Sequence, residues 1–249
     1  MRQLVFLCAA LLCAACGPRA DKVQFIAGAN QQALIRDGQS ALVSRQKKSI
    51  VLLRPASRLT PRDGRPVFVV GVNNLSGQPV DFLIRNIQAS QTVNGETAPI
   101  KVITYEELVQ EERTRQTFQA IAVGLSAGAN AMSAANAGRY HSTTTVSTPR
   151  GLYTAHTTGY SPTAAAIAQA NASAQNEAMI STTIEQGRQN LAMLERGIAK
   201  DNTLMPGEWY GGQIHLAPLV GQDGAKNYTI TLDIAGEQHR MEVVQKALD

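Results

Sequence analysis

The feature of this sequence that most constrains its fold is a change of periodicity that occurs twice. From Val23 to Ile103 the chain consists of short runs, such as "RPVFVVGVNN", that are β-branched or alternate apolar with polar residues. From residue 104 this two-residue period stops, and strand-like runs return after residue 203, as in "NYTITLDIAG". This succession of strand-like, helical and strand-like segments predicts one β-structure whose strands are interrupted by a long helical segment.

We therefore expect an α+β fold. It consists of an antiparallel immunoglobulin-like β-sandwich over residues 31–103 and 204–249, with a helical hairpin over residues 104–203 inserted between its strands. Several short strands with turn signals favour a sandwich, but the Cys-Trp-Cys pattern of true immunoglobulin domains is absent. The residues predicted to face inward are Val67, Val69, Gly71, Phe82, Ile84 and Ile87.

Both arms of the predicted helical hairpin begin with recognisable caps. Thr104 and Glu107 have the spacing of a capping box, in which the two residues satisfy amides of the first helical turn. Ser161 is a capping residue, and Pro162 suits the first helical position. At a rise of 1.5 Å per residue, the arms would be roughly 50 to 57 Å long.

Small residues recur every three or four positions along both arms, and such faces allow helix backbones to approach closely. The candidate helix-packing residues are Ala120, Gly124, Gly128, Ala164, Ala168 and Ala172. Amide and hydroxyl side chains interrupt both arms, which disfavours helices that face lipid. Two interpretations follow, in which the arms pack on each other only or also pack on neighbouring copies. Alanine-rich arms bury little apolar area, so a second subunit or a partner would support them.

The segment between the arms, residues 139–160, is rich in threonine and tyrosine. Pro149-Arg150-Gly151 would turn it into a small β-hairpin, and its aromatic and hydroxyl groups suit recognition. The candidate recognition residues are Tyr140, His141, Tyr153, His156 and Tyr160. The two histidines have no carboxylate within this segment to complete a metal site, and we expect no metal or other cofactor.

The amino terminus has the form of a processing signal. Arg2 precedes the uncharged run Leu4 to Ala15, which has the length of a signal-peptide core and is too short for a membrane span. The run ends in Cys13-Ala14-Ala15-Cys16, followed by Gly17, and this stretch resembles the lipobox of bacterial lipoproteins, although Cys13 replaces the common leucine. An ordinary signal peptide that leaves a soluble secreted protein is the alternative.

The lipoprotein resemblance implies a signal peptide over residues 1–15, diacylation of Cys16 and acylation of the new amino terminus, with residues 16–30 as a lipidated tether. A mature chain of this kind would keep no free thiol. By the same resemblance, Gly17 favours the outer membrane over the inner one, with the protein on the periplasmic face rather than the cell surface. The layout of the whole chain resembles poorly characterised bacterial envelope lipoproteins, for which the resemblance supplies no activity.

Composition and motifs disfavour two classes of function. The formal charge of +4 is spread through strand-like segments without interleaved aromatic residues, so we expect no nucleic-acid partner. No G-x-S-x-G, P-loop, dinucleotide or H-E-x-x-H motif is present, so we expect no enzyme, with an unrecognised hydrolase as the exception.

The leading hypothesis is a non-enzymatic envelope lipoprotein that uses its helical hairpin to self-associate or to dock onto an envelope protein complex. The alternative is a periplasmic binding module for a small ligand or a cell-wall glycan, with Trp209-Tyr210 as a stacking surface.

Overall fold

A computed structural model describes residues 20–36, 38–62, 64–219 and 225–247 of the chain. The predicted signal peptide over residues 1–15 and the predicted lipidation site Cys16 lie outside the described residues.

Strands form most of the described chain, and two long helices follow the first ten strands. α1 (Tyr105–Asn136) lies between β10 and β11 in chain order, and α2 (Pro162–Gly197) lies between β12 and β13. The strands are β1 (Ala20–Ile26), β2 (Gln31–Arg36), β3 (Gln39–Arg45), β4 (Ser49–Pro55), β5 (Thr60–Pro61), β6 (Val67–Asn74), β7 (Val80–Phe82), β8 (Ile87–Val93), β9 (Glu96–Ile100), β10 (Val102–Ile103), β11 (Arg139–Thr148), β12 (Gly151–Tyr160), β13 (Asn202–Leu204), β14 (Trp209–Leu216), β15 (Lys226–Ile234) and β16 (Glu237–Ala247).

The strands form two six-stranded sheets and two smaller pairs. One sheet has the order β5-β1-β16-β15-β8-β9, and the other has the order β10-β14-β6-β4-β3-β2. The pairings within both sheets are antiparallel. The remaining strands pair as β11 with β12 and β13 with β7. Two helices and many antiparallel strands confirm the expected α+β class.

The chain divides into two compact units, which we describe separately. The body comprises the described residues up to Leu108 and the described residues from Glu195 onward, and it contains both six-stranded sheets. The arm comprises Val109–Leu194 and contains most of both helices together with β11 and β12. No helix in the described ranges is both long and apolar enough to cross a membrane.

Strand β1 corrects the expected tether over residues 16–30. It runs along β16 with Asp21 opposite Ala247, and it also pairs with β5. Val23 is buried in the core, and the buried Asp21 carboxylate lies 3.0 Å from Nε of Arg62. Residues 20–26 are therefore part of a sheet, and their side chains alternate between more buried and more exposed positions, as expected for a strand.

The core of the body collects one face of each sheet into a single apolar cluster. On β15, alternate residues such as Ile230 and Leu232 are buried, and on β4 the buried apolar residues include Val51 and Leu53. Each such side chain contributes about 1.5–3 kcal/mol when it is fully removed from water. Burial of alternate residues therefore holds the sheets of the body together.

The expected inward face of β6 was wrong by one residue. Phe68, Val70 and Val72 are buried, whereas the predicted inward residues Val67, Val69 and Gly71 are partly exposed. Apolar side chains occupy both alternating positions of this strand, so its sequence does not determine which face is buried. The inward positions predicted for Phe82, Ile84 and Ile87 are confirmed.

Both predicted helix starts are confirmed. The amide of Glu107 donates to Oγ1 of Thr104 at 3.3 Å, and the amide of Thr104 donates to Oε2 of Glu107 at 3.1 Å, which completes the capping box. The amide of Ala164 donates to Oγ of Ser161 at 3.3 Å, and Pro162 is the first residue of α2. The caps thus define where each helix begins.

Candidate functional site

The two helices of the arm meet along a regular seam. Between Glu112 and Asn136, the residues of α1 that are not exposed recur in steps of four, three and four. They are Glu112, Gln116, Gln119, Val123, Ala127, Asn130 and Ala134. In α2 the corresponding residues up to Thr183 are Ala165, Ala168, Ala172, Asn176, Met179 and Thr183. These steps correspond to an eleven-residue repeat of about 3.67 residues per turn.

Amide side chains form hydrogen bonds between α1 and α2 at several positions along the seam. Nδ2 of Asn176 donates to the carbonyl of Ala127 at 3.2 Å, and Nδ2 of Asn130 donates to Oδ1 of Asn176 at 2.9 Å. Nearer the base of the arm, Nε2 of Gln116 donates to the carbonyl of Gly187 at 3.0 Å. Much of the seam is therefore polar, and hydrogen bonds fix how the helices face each other.

Glu112 is the buried charge of this seam. Its carboxylate accepts bonds of 2.7 to 2.8 Å from Arg115 and Gln116 on its own helix and a 3.2 Å bond from Asn190 on α2. Burial by itself would raise the pKa of Glu112, but these donors outweigh it and hold the pKa below its ordinary value. The charged carboxylate is thereby stabilised between the helices.

The large apolar side chains of α1 lie on the face opposite the seam. Phe118 is 68% exposed and Leu125 is 72% exposed, and Ile121 and Met132 are also exposed. With Gly128, they recur in steps of three and four residues, and at about 100° per residue they lie roughly opposite the seam of α1. We call Phe118, Ile121, Leu125, Gly128 and Met132 the outer stripe. The seam thus combines amides with small residues, whereas the large apolar side chains of the outer stripe are exposed.

The small residues proposed to pack the helices are only partly at the seam. Ala120, Gly124, Gly128 and Ala164 are exposed, and a methyl group added at Gly124 or Gly128 would meet no atom within 4 Å. Ala168 is partly buried and Ala172 is buried. The expectation of packing within one chain was therefore wrong for Ala120, Gly124, Gly128 and Ala164, because the seam follows a different set of positions. Packing between copies stays a prediction for these residues.

The tip is the predicted β-hairpin. β11 and β12 pair along their full length from Arg139 opposite Tyr160 to Thr148 opposite Gly151, with Pro149 and Arg150 as the connecting residues. Within Arg139–Tyr160 every residue is exposed except Thr148 and Gly159, which are partly exposed. We call β11, β12 and their two connecting residues the tip hairpin.

The candidate recognition residues divide between the two ends of the tip hairpin. At its base, the ring of Tyr140 covers Gly159 and the ring of Tyr160 covers Gly138, since an added Cβ would lie 2.3 Å and 2.5 Å from these rings. Tyr153 instead lies near the turn, opposite Val146. Tyr140 and Tyr160 therefore support the hairpin, while Tyr153 is exposed near the turn.

The histidines of the tip do not form a metal site. His141 is opposite Thr158, and His156 is opposite Thr143, whose hydroxyl lies 3.1 Å from its Nδ1. Within the described ranges, no group of three or more histidine, cysteine or acidic side chains is arranged to hold a metal ion.

A cleft lies at the base of the tip hairpin. Its volume is about 770 Å³, and its lining includes Arg139, Tyr140, His141 and Tyr160. The sequence contains no carboxylate between Glu112 and Glu177, whereas Arg139 begins β11 and Arg150 lies in the turn between β11 and β12. An anionic group would therefore meet no acidic side chain of the tip.

The body contains one buried hydrogen-bonded chain with catalytic residue types. Nδ1 of His239 lies 2.9 Å from Oγ of Ser44, and Nε2 lies 2.8 Å from Oγ of Ser49, which donates to Glu237 at 2.8 Å. Because the hydroxyl of Ser49 donates its hydrogen bond to the Glu237 carboxylate, Nε2 of His239 must donate to Oγ of Ser49. In the neutral imidazole, Nδ1 then accepts a hydrogen bond from Oγ of Ser44. Sequence reasoning noted only that Glu237 is beside His239 and missed both serines, which lie on other strands.

This buried chain joins the two six-stranded sheets, since Ser44 and Ser49 lie on β3 and β4 while Glu237 and His239 lie on β16. His239 and Ser49 are fully buried, and the ring nitrogens of His239 are both engaged. Burial lowers the pKa of His239, although the carboxylates of Glu237 and Asp233 partly oppose this effect. The arrangement suits a structural tie that keeps the imidazole neutral.

The proposed stacking pair Trp209-Tyr210 presents one free ring. Trp209 is exposed, but the Tyr210 ring lies 5.4 Å from the ring of Phe82, and its hydroxyl accepts the amide of Lys200 at 2.9 Å. Tyr210 is therefore engaged in the body, and the pair offers no two-ring surface.

Comparisons of the chain with protein-family models, with curated proteins and with solved structures returned no match.

The surface that sequence reasoning missed is the outer stripe. A sequence signal for it exists, because Phe118, Ile121, Leu125 and Met132 follow the three-and-four spacing of an apolar helix face. Such a pattern ordinarily marks the side of a helix that packs on its own chain. Here the opposite face of α1, which carries amides and small residues, forms the internal seam, so the apolar face stays exposed.

Proposed function

We propose that this chain is a non-enzymatic envelope lipoprotein whose arm binds protein, either a second copy of itself or an envelope complex. Anchoring would occur through Cys16 in the outer membrane, with the folded chain on the periplasmic side. We further propose that the body is an immunoglobulin-like β-sandwich and that residues 104–203 are a helical insertion between its strands. The body would then act as a platform for the arm.

The observation that carries the binding proposal is the exposed outer stripe of the arm. Its seam is rich in amides and small residues, while Phe118, Ile121, Leu125 and Met132 face solvent on the other side of α1. Covering exposed apolar area contributes about 25 cal/mol per Å², so a second helix laid on this stripe would bury what the seam does not. Helices with apolar residues in steps of three and four pair in this way.

A substitution in the outer stripe tests this proposal. Replacing Phe118 and Leu125 together by serine is expected to shift the native assembly toward single chains in sedimentation, because both side chains leave the contact. The matched control is Ile35→Ser, which removes an equally exposed apolar side chain from the body. A native chain that sediments as one copy and crosslinks to no envelope protein in its membrane would contradict the proposal.

The lipid anchor has a separate test. Metabolic labelling with a palmitate analogue is expected to mark the native chain and not the Cys16→Ser variant. Membrane fractionation of the two proteins gives the second readout. A Cys16→Ser protein that still takes up the label and still fractionates with membranes would refute the anchor, whatever the outcome for the arm.

A further inference from the structure

We propose that the turn end of the tip hairpin inserts into the surface of a phospholipid bilayer that carries anionic headgroups. The envelope location proposed above supplies the setting for this contact. The binding surface itself is argued from the tip hairpin and does not depend on Cys16.

The tip hairpin lacks support within its own chain over most of its length. It is a two-stranded sheet in the described part of the chain, so the outer edges of β11 and β12 have no third strand. Nearly all of its side chains are exposed. Isolated two-stranded hairpins are marginally stable in water, and a surface that receives this one would stabilise it.

The apolar side chains of the hairpin gather near its turn. Val146, Leu152 and Tyr153 are exposed by 51%, 70% and 59%. Val146 and Tyr153 are cross-strand partners and share one face, whereas Leu152, the next residue along β12, points to the other face. A protein surface that covers one face would leave the other in water. A bilayer surrounds an inserted end and buries both faces.

The charges of the arm identify the kind of bilayer. No carboxylate occurs between Glu112 and Glu177, and Arg150 lies in the turn, from which its long side chain would extend back to the headgroups. An arginine near an anionic membrane surface contributes about 1 kcal/mol of attraction. A second hairpin would bring a second arginine and no acidic partner, so the charges favour anionic lipid over pairing of two copies.

The dimensions agree with insertion at the interface when the hairpin enters at an oblique angle, because the turn then lies little deeper than the apolar side chains. At about 3.3 Å per residue, the cross-strand pair Val146 and Tyr153 lies roughly 10 Å behind the turn. Peripheral elements bury their apolar side chains about 5–10 Å into the boundary between headgroups and acyl chains. The threonine-rich rows farther back, including Thr143 opposite His156, would stay among headgroups and water.

A site-specific fluorescent reporter tests the inference in the full chain. Trp209→Phe removes the single native tryptophan, and Tyr153→Trp places a new one at the turn end. Adding vesicles of phosphatidylcholine with phosphatidylglycerol is expected to shift its emission to shorter wavelength and to allow quenching by brominated acyl chains. Vesicles of phosphatidylcholine alone are expected to give a much smaller shift, even when the chain is anchored to them.

Variants of the same reporter protein sharpen the test. Val146→Ser with Leu152→Ser is expected to weaken partitioning by at least about tenfold through lost apolar burial. Arg150→Gln is expected to weaken it by about fivefold. The matched control, Ile184→Ser with Met193→Ser, removes exposed apolar side chains from α2 and is expected to leave partitioning unchanged.

Two outcomes would overturn the inference. One is a reporter that responds to neither kind of vesicle, and the other is an emission shift that appears without vesicles as the protein concentration rises, which would indicate pairing of two hairpins. The palmitate label measures lipidation of Cys16, whereas the tryptophan reporter measures insertion of the tip hairpin. Failure of the lipoprotein proposal is therefore distinguishable from failure of this one.

Discussion

The body and the arm differ in where their large apolar side chains lie. In the body, residues such as Leu53, Val70 and Leu232 are fully buried between sheets. In the arm, Phe118 and Leu125 are exposed, while alanines, amides and a carboxylate occupy much of the seam. The body is therefore stabilised by apolar burial within one chain, whereas the arm leaves large apolar side chains in contact with solvent.

The two kinds of interaction also differ in magnitude. A fully buried leucine contributes about 1.5–3 kcal/mol, whereas a hydrogen bond such as that from Asn176 to the carbonyl of Ala127 contributes about 1 kcal/mol net. We therefore expect the arm to open locally at a lower free energy than the body. Three predictions test this contrast.

The largest effect is expected from removing the same side chain in each unit. Leu232→Ala in the body should lower the free energy of unfolding by about 2–5 kcal/mol, because it leaves a cavity in the core. Leu125→Ala in the arm should change it by less than about 0.5 kcal/mol in a single chain. Urea titration measures both, with Trp209 fluorescence reporting the body and helical circular dichroism reporting the arm. Equal losses would remove the contrast between the units.

A pair of glycines gives the next effect, with opposite signs. A Cβ at Gly138 would lie 2.5 Å from the Tyr160 ring and 2.8 Å from the Cβ of Ala165, so Gly138→Ala should destabilise the arm by about 1–3 kcal/mol. Gly128 faces open space, and Gly128→Ala should stabilise its helix by about 1 kcal/mol. Amide hydrogen exchange within α1 and α2 reports both changes in a sample of single chains.

If Gly128→Ala slows exchange as expected but also weakens self-association, the outer stripe makes a close helix contact at this position. If it destabilises α1 in single chains, the exposed placement of Gly128 is wrong.

The smallest effect concerns the pH dependence of the body. Burial lowers the pKa of His239 below its ordinary value of 6.5, so the unfolded chain binds a proton there more readily than the folded chain does. The stability from this site is complete above pH 6.5 and falls as the pH is lowered, by at most about 1.4 kcal/mol per pH unit. Urea titrations across this range measure the slope.

The slope should disappear in His239→Asn and persist in His156→Asn, which changes an exposed histidine of the tip. A native slope of the opposite sign between pH 6.5 and pH 5 would show that His239 is protonated in the folded state.

Local chemistry made several elements predictable from the sequence. Thr104, Glu107 and Ser161 satisfy amides within their own helical turn, and Pro149-Arg150 joins two strands that are neighbours in the chain. Both partners of such an interaction lie within a few residues of each other, so a short stretch of sequence is sufficient to predict it. The boundaries of the tip at residues 139 and 160 followed in the same way.

Contacts between residues far apart in the sequence could not be predicted in this way. The strand β6 carries apolar residues on both faces, and its pairing with β4 and β14 decides that Phe68, Val70 and Val72 turn inward. Strand β1 looked like part of a tether because its partner, β16, lies at the other end of the chain. The contacts of Ser44 and Ser49 with His239 join residues about two hundred positions apart.

The sequence by itself determined the α+β class, the helix starts, the hairpin turn and the absence of acidic residues around the tip. The tertiary structure decided which faces are covered. In the arm, it placed the amide-rich eleven-residue repeat at the seam and left the outer stripe in solvent. The physical reason is that periodicity defines the faces of a helix, whereas only the neighbour that each face meets determines whether it is buried.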